Sequence, residues 1–163
     1  MRVAIVGCGR IASKHAAVIR ESARFELAAV CDDQHNRATD FGHKWNAPAY
    51  TDLHTLLEEA TEHDIYVVST DSGSHAEVTC QLAKTGKPVI VEKPMALTLE
   101  DADRMITTCA ASGSKLFVVK QNRWNLAVQA LRGGLDEGRF GRHVSASVRV
   151  RWCRTQEYYD QDE

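Results

Sequence analysis

The chain has 163 residues, 44% of them hydrophobic and 26% charged, with a net charge of −2. That is about one domain's worth of core, and neither the charge balance nor any basic run suggests a nucleic-acid or anionic-membrane partner. No apolar stretch approaches the roughly 18 residues of a membrane span, and the opening MRVAIVGCGR is too short and glycine-rich for a signal-peptide core.

Short apolar runs alternate with amphipathic helical patterns, the rhythm of βαβ units and a parallel sheet. The first strand is expected at residues 2–6, followed by a helix whose Ile11, His15, Val18 and Ile19 recur at helical spacing. In that pattern His15 reads as a packing histidine. A second strand at 27–31 leads into a helix at about 36–45, which Pro48 ends, and a short helix follows Asp52. The next strand spans 65–69. Ser74-His-Ala-Glu77 then fits a capping box opening a helix to about residue 85, closed by Gly86. Residues 89–91 form another strand, Thr98-Leu-Glu-Asp101 caps the helix behind it, and a strand at 116–119 precedes a helix at about 125–132. Cysteines 8, 31, 80, 109 and 153 show no CxxC or CxxH spacing, which argues against zinc and disulfides and for reduced, mostly buried thiols in a cytoplasmic protein. No metal is expected.

Gly7-Cys8-Gly9-Arg10-Ile11-Ala12 is a G-x-G-x-x-A run between the first strand and the first helix. The placement gives the motif its weight. Gly7 permits the tight turn, Gly9 lets the backbone approach a pyrophosphate, and Ala12 lets helix and strand pack closely. The pyrophosphate would rest on the positive helix N-terminus. Asp32, 20 residues beyond Ala12, stands where a carboxylate accepts hydrogen bonds from the adenosine ribose, and it disfavours a 2′-phosphate. Asp33 is the neighbouring alternative. Arg37 either meets a 2′-phosphate or the adenine, or is a surface helix arginine. The expected cofactor is NAD.

The remaining polar clusters share a position. Residues 69–75 (STDSGSH), Glu92-Lys93-Pro94 and Lys120-Gln121-Asn122-Arg123 each follow a strand. In an open parallel sheet, ligands bind beyond the carboxyl ends of the strands, so these clusters converge on one rim. Lys93 is therefore expected to point at the dinucleotide, its backbone restrained by Pro94.

GCGRIASKH, VCDD, STDSGSH and above all VEKPMALT resemble the Gfo/Idh/MocA oxidoreductases, NAD(P)-dependent enzymes acting mostly on sugars and cyclitols. The closing VVKQNRWN, LDEGRFGR and VRVRWCRTQEYYDQDE are similar to UDP-N-acetylglucosaminuronate 3-dehydrogenases of lipopolysaccharide biosynthesis. The resemblance implies a Rossmann-type doubly wound sheet at 1–122, and at 123–163 a linking helix and the start of a second, incomplete α/β domain. It makes Lys93 the active-site lysine. Cofactor contacts are expected from Gly7, Gly9, Arg10, Ile11, Ala12, Asp32, Ser69, Thr70, His75, Glu92, Lys93 and Gln121, and substrate contacts from Lys93, Asn122 and Arg123. Its implied partners are a sugar nucleotide, other copies of the chain and a downstream aminotransferase.

Two departures stand against that pattern, one at Asp71 and one in the second domain, of which only the start is expected here. Asp71 occupies a place where the family usually has proline. His75 is as much a structural or ribose-contacting residue as a catalytic one, and is not assigned as the base. The alternation of Val144, Ala146, Val148, Val150 and Trp152 with polar residues reads as a period-2 strand, the first of a sheet whose other strands lie beyond this chain. Another sugar or inositol dehydrogenase, or a non-catalytic NAD-binding module, are the alternative readings.

Overall fold

The computed structural model describes residues 1–60 and 62–159. Six strands form one parallel sheet: β1 (Arg2–Val6), β2 (Glu26–Cys31), β3 (Ala49–Tyr50), β4 (Ile65–Val68), β5 (Val89–Val91) and β6 (Leu116–Val118). Their spatial order is β3-β2-β1-β4-β5-β6. The chain thus moves outwards from β1 in one direction, returns, and moves outwards in the other. Between β1 and β4 lies the switch point at which such sheets open a ligand crevice.

Both faces are covered, and the covering is written in the strand period. On β1, Val3 and Ile5 join one core cluster with Ala12, Ala16 and Ile19 of α1 (Arg10–Glu21) and Phe41 of α2 (His35–Trp45). Ala4 and Val6 point to the opposite cluster. There they meet Leu56 of α3 (Leu53–Glu59), Ala76 and Cys80 of α4 (His75–Ala83), and Met105 of α5 (Leu99–Ser112). Strands buried on both faces read as unbroken apolar runs, which is how RVAIV and IYVV appear.

The helix starts differ from one another. Asp52 accepts the Thr55 amide at 2.8 Å and Thr98 accepts the Asp101 amide at 3.1 Å, both as N-caps. The box expected at Ser74 does not form. Its hydroxyl is turned back to Thr70 and Asp71, while Glu77 accepts from Gln81 and Arg104. Two polar neighbours upstream compete successfully for that hydroxyl. The two-residue edge strand β3 was not expected, since so short a run carries no readable period.

The chain divides into two compact units, Met1–Lys120 and a second running from Gln121. In the second, a 3-10 turn (Gln121–Trp124) precedes α6 (Leu126–Asp136), and a short α7 (Gln156–Tyr159) lies near the end. The division falls before the expected 122/123 boundary because that turn packs with α6. The strand expected over 144–152 is not formed among the described residues. Alternation supplies an apolar face, but a strand also needs a hydrogen-bonded neighbour, and Val144 and Val148 are 92% and 86% exposed.

Candidate dinucleotide and active site

The glycine turn is built by close approach. Gly7 sits at φ +91°, and a Cβ there would lie 2.5 Å from the Thr70 amide nitrogen and 2.6 Å from the Ser69 carbonyl carbon. The Ser69 hydroxyl donates to the Gly7 carbonyl at 2.8 Å, so the ends of β1 and β4 are tied together at the switch point. Gly9 is the opposite case. It caps α1, and a Cβ built on it meets nothing within 4 Å. No side chain caps this helix and no acidic residue stands in its first turn. The amide-rich positive end of α1 therefore opens on free space, with Arg10 at its first position and Ile11 half-buried beside it. Ala12 is fully buried against the sheet, as the third small position of the motif requires.

Asp32 lies at the end of β2 and is only 6% exposed, whereas Asp33 faces solvent. One Asp32 oxygen accepts the Cys8 amide of the glycine turn at 2.8 Å, and the other accepts the Gln34 amide at 3.0 Å. An ionised carboxylate has about four lone-pair sites, so two remain for ribose hydroxyls. The Arg37 guanidinium stands 3.8 Å from Asp32. Cys8 and Cys31, beneath this corner, are pushed up to about 12 by burial and are thiols rather than nucleophiles.

The loop after β4 is ordered by Asp71. One of its carboxylate oxygens accepts the Gly73 and Ser74 amides at 2.9 and 3.1 Å, and the other accepts the Ser74 hydroxyl at 2.7 Å. Asp71 thus restrains the turn after β4 by hydrogen bonds. The Ser74 hydroxyl, then the two amides, hold the Asp71 carboxyl below its ordinary range. A pKa lowered on folding means that this support is complete above the unfolded value and is lost as pH falls through the folded one. The Gly73 and Ser74 amide resonances should therefore stay in place from about pH 7 to 5 and move towards disordered positions only below about pH 4. Movement between pH 7 and 5 would count against this role.

The segment after β5 carries the lysine. Glu92 is buried, its amide donates to the Val68 carbonyl at 3.0 Å, and Lys93 and Pro94 emerge exposed. The Lys93–Pro94 peptide is cis. Glu92 Oε1 lies 2.8 Å from His15 Nε2, and its second oxygen accepts the Lys93 amide at 3.1 Å. His15 is therefore not the apolar-face histidine expected from spacing, and its presumed neighbour Val18 is 63% exposed. His75 was expected at the cofactor, but it is 1% exposed and both ring nitrogens face protein carbonyls, Pro94 at 2.8 Å and Thr70 at 3.2 Å. Gln121, Asn122 and Arg123 are exposed on the 3-10 turn of the second unit.

A glycine cradle with space over it, an uncapped helix end and a carboxylate with spare acceptors are the requirements of a dinucleotide, and the residues present fit NAD. A family model described as "Oxidoreductase family, NAD-binding Rossmann fold" matches residues 1–120. The chain belongs to the Gfo/Idh/MocA oxidoreductase family. Its cofactor is accordingly NAD. Among solved structures it is similar to the WlbA dehydrogenase of Bordetella pertussis in complex with NADH and UDP-GlcNAcA. The identity is 38%, the TM-score 0.93, and the match covers 99% of this chain and 50% of that one. It is 33% identical over 156 residues to the D-glucoside 3-dehydrogenase of Escherichia coli, covering 94% of this chain and 44% of the relative. The myo-inositol 2-dehydrogenase of Thermotoga maritima is 31% identical over 146 residues, covering 88% and 43%. The chain thus spans about half the length of these relatives or less. No helix among the described residues is long and apolar enough to cross a membrane.

Proposed function

We propose that this chain forms the dinucleotide-binding part of a cytoplasmic dehydrogenase that oxidises the C3 hydroxyl of UDP-2-acetamido-2-deoxyglucuronate to a ketone. The observation that carries the reading is the 38% identity, over 99% of this chain, with an enzyme crystallised with NADH and UDP-GlcNAcA. NAD, when bound, supplies the acceptor for the C3 hydride. Gly7, Gly9 and the α1 amides hold its pyrophosphate, and Asp32 its ribose. Lys93 has no hydrogen bond or ion pair on its amino group among the described residues, so it is available to substrate. In its amine form it takes the C3 hydroxyl proton as the C–H electron pair departs, and it stabilises charge on the oxygen. Asn122 and Arg123 are proposed for the sugar nucleotide, because a guanidinium can bind a carboxylate or diphosphate through two hydrogen bonds. The 3-keto product is the substrate class of an aminotransferase, the proposed next step.

Two measurements test this. The chain should bind NADH at least about tenfold more tightly than NADPH, a difference of about 1.4 kcal/mol. Equal affinities would mean that Arg37, beside Asp32, offsets the carboxylate. The whole dehydrogenase of which this chain is the dinucleotide-binding part should oxidise UDP-GlcNAcA far better than myo-inositol or glucose. A preference for the free polyol would move the assignment to the inositol dehydrogenases, which the 31% relative keeps as the second reading.

A further inference from the structure

Two histidines have no part in the chemistry above, yet both end on the segment carrying Lys93. They come from opposite faces of the sheet, His15 from α1 and His75 from the start of α4. An ionised carboxylate only accepts, so the tautomer that pairs His15 Nε2 with an ionised Glu92, 2.8 Å away at Oε1, is the one with its proton on Nε2. Glu92 then uses its other oxygen for the Lys93 amide. On the far side of Lys93, the Pro94 carbonyl faces His75 Nδ1 at 2.8 Å, and the same ring reaches back to Thr70 beside the glycine turn. The sheet itself offers this segment little support. β5 stops at Val91, Glu92 makes the last ladder bond to Val68, and Pro94 has no amide to donate.

We propose that His15 and His75 are positioning residues for Lys93, bracketing its backbone from both sides. His15 does more than brace a loop, because α1 is the helix whose N-terminus takes the pyrophosphate. The His15–Glu92–Lys93 chain therefore fixes the reacting lysine relative to the cofactor through one carboxylate. Glu92, buried and with both carboxylate oxygens hydrogen-bonded, is part of this bracket. The functional meaning rests on the dehydrogenase reading, in which Lys93 works beside the nicotinamide, but the bracket can be tested separately.

The test is amide hydrogen exchange and ring-nitrogen NMR on this chain. In the wild type, long-range ¹⁵N–¹H correlations should place the proton of neutral His15 on Nε2. An Nδ1 tautomer would overturn the bracket without any variant. His15→Leu and His75→Leu should each speed exchange at the Lys93 amide by at least about tenfold relative to Val67 in the adjacent strand. His15→Gln keeps a donor at the Nε2 position and His75→Asn one at Nδ1, so both should restore slow exchange. Exchange at Lys93 that follows Val67 in every variant, or leucine and amide variants that behave alike, would show a packing role only. Should a leucine variant not fold, the tautomer and the amide variants still decide. NADH binding by the wild-type chain tests the underlying reading independently. Its absence would sink the dehydrogenase assignment and leave the exchange result standing.

Discussion

In the whole dehydrogenase, Lys93→Met should lower turnover of the sugar nucleotide by at least about a hundredfold while leaving NADH affinity nearly unchanged, as measured by steady-state rates and fluorescence titration. The expectation follows from what holds each partner. The proposed cofactor contacts are made by the glycine turn after β1, the α1 amides and Asp32 just after β2, and none depends on the lysine side chain. Lys93 is held by its backbone alone, through Glu92 on one side and Pro94 on the other. Methionine keeps an unbranched stem of similar reach but removes the amino group that accepts the proton. A group that participates only as the proton moves should cost turnover and not binding. If turnover survived, Lys93 would be a solvated strand end and the proton would leave by another route.

The glycine turn and Asp32 were legible in the sequence because their roles are local. A turn with positive φ wants glycine, and a carboxylate at a strand end needs only its register. The sheet was legible for a similar reason, since strands such as IYVV are apolar on both faces. The bracket around Lys93 was not. His15 and Glu92 are separated by 77 residues, and nothing in the spacing of α1 distinguishes a histidine aimed at a carboxylate from one packed among apolar neighbours. Ser74 misled in the other direction. A capping box is a short-range pattern, and the hydroxyl went instead to Thr70 and Asp71, which the box pattern does not include. At residues 144–152 the period is plain, but a period specifies a face and not a partner.

The two glycines of the turn should fail in opposite ways, and the contrast separates fold from ligand. Gly7→Ala places a methyl group 2.5 Å from the Thr70 nitrogen and 2.7 Å from the Ser69 carbonyl oxygen, against backbone that cannot rotate away, at a φ that L-residues avoid. Backbone strain and overpacking each cost about 1–3 kcal/mol, so a loss of about 2–6 kcal/mol is expected, read as a fall in thermal midpoint. The ties from Ser69 to the turn would break with it, and NADH binding should go as a consequence of unfolding. Gly9→Ala meets no atom of the protein within 4 Å, and its φ of −75° suits any residue. The fold should lose no more than about 1 kcal/mol, the difference between glycine and alanine at a helix N-cap. The new methyl nevertheless occupies the space through which the pyrophosphate must approach the α1 amides. NADH affinity should therefore fall by at least about tenfold while the thermal midpoint stays within a few degrees of wild type. A Gly9→Ala chain that bound NADH normally would mean that the dinucleotide does not lie over this turn. The open space at Gly9 would then need another explanation, and the α1 N-terminus would have no ligand in this reading.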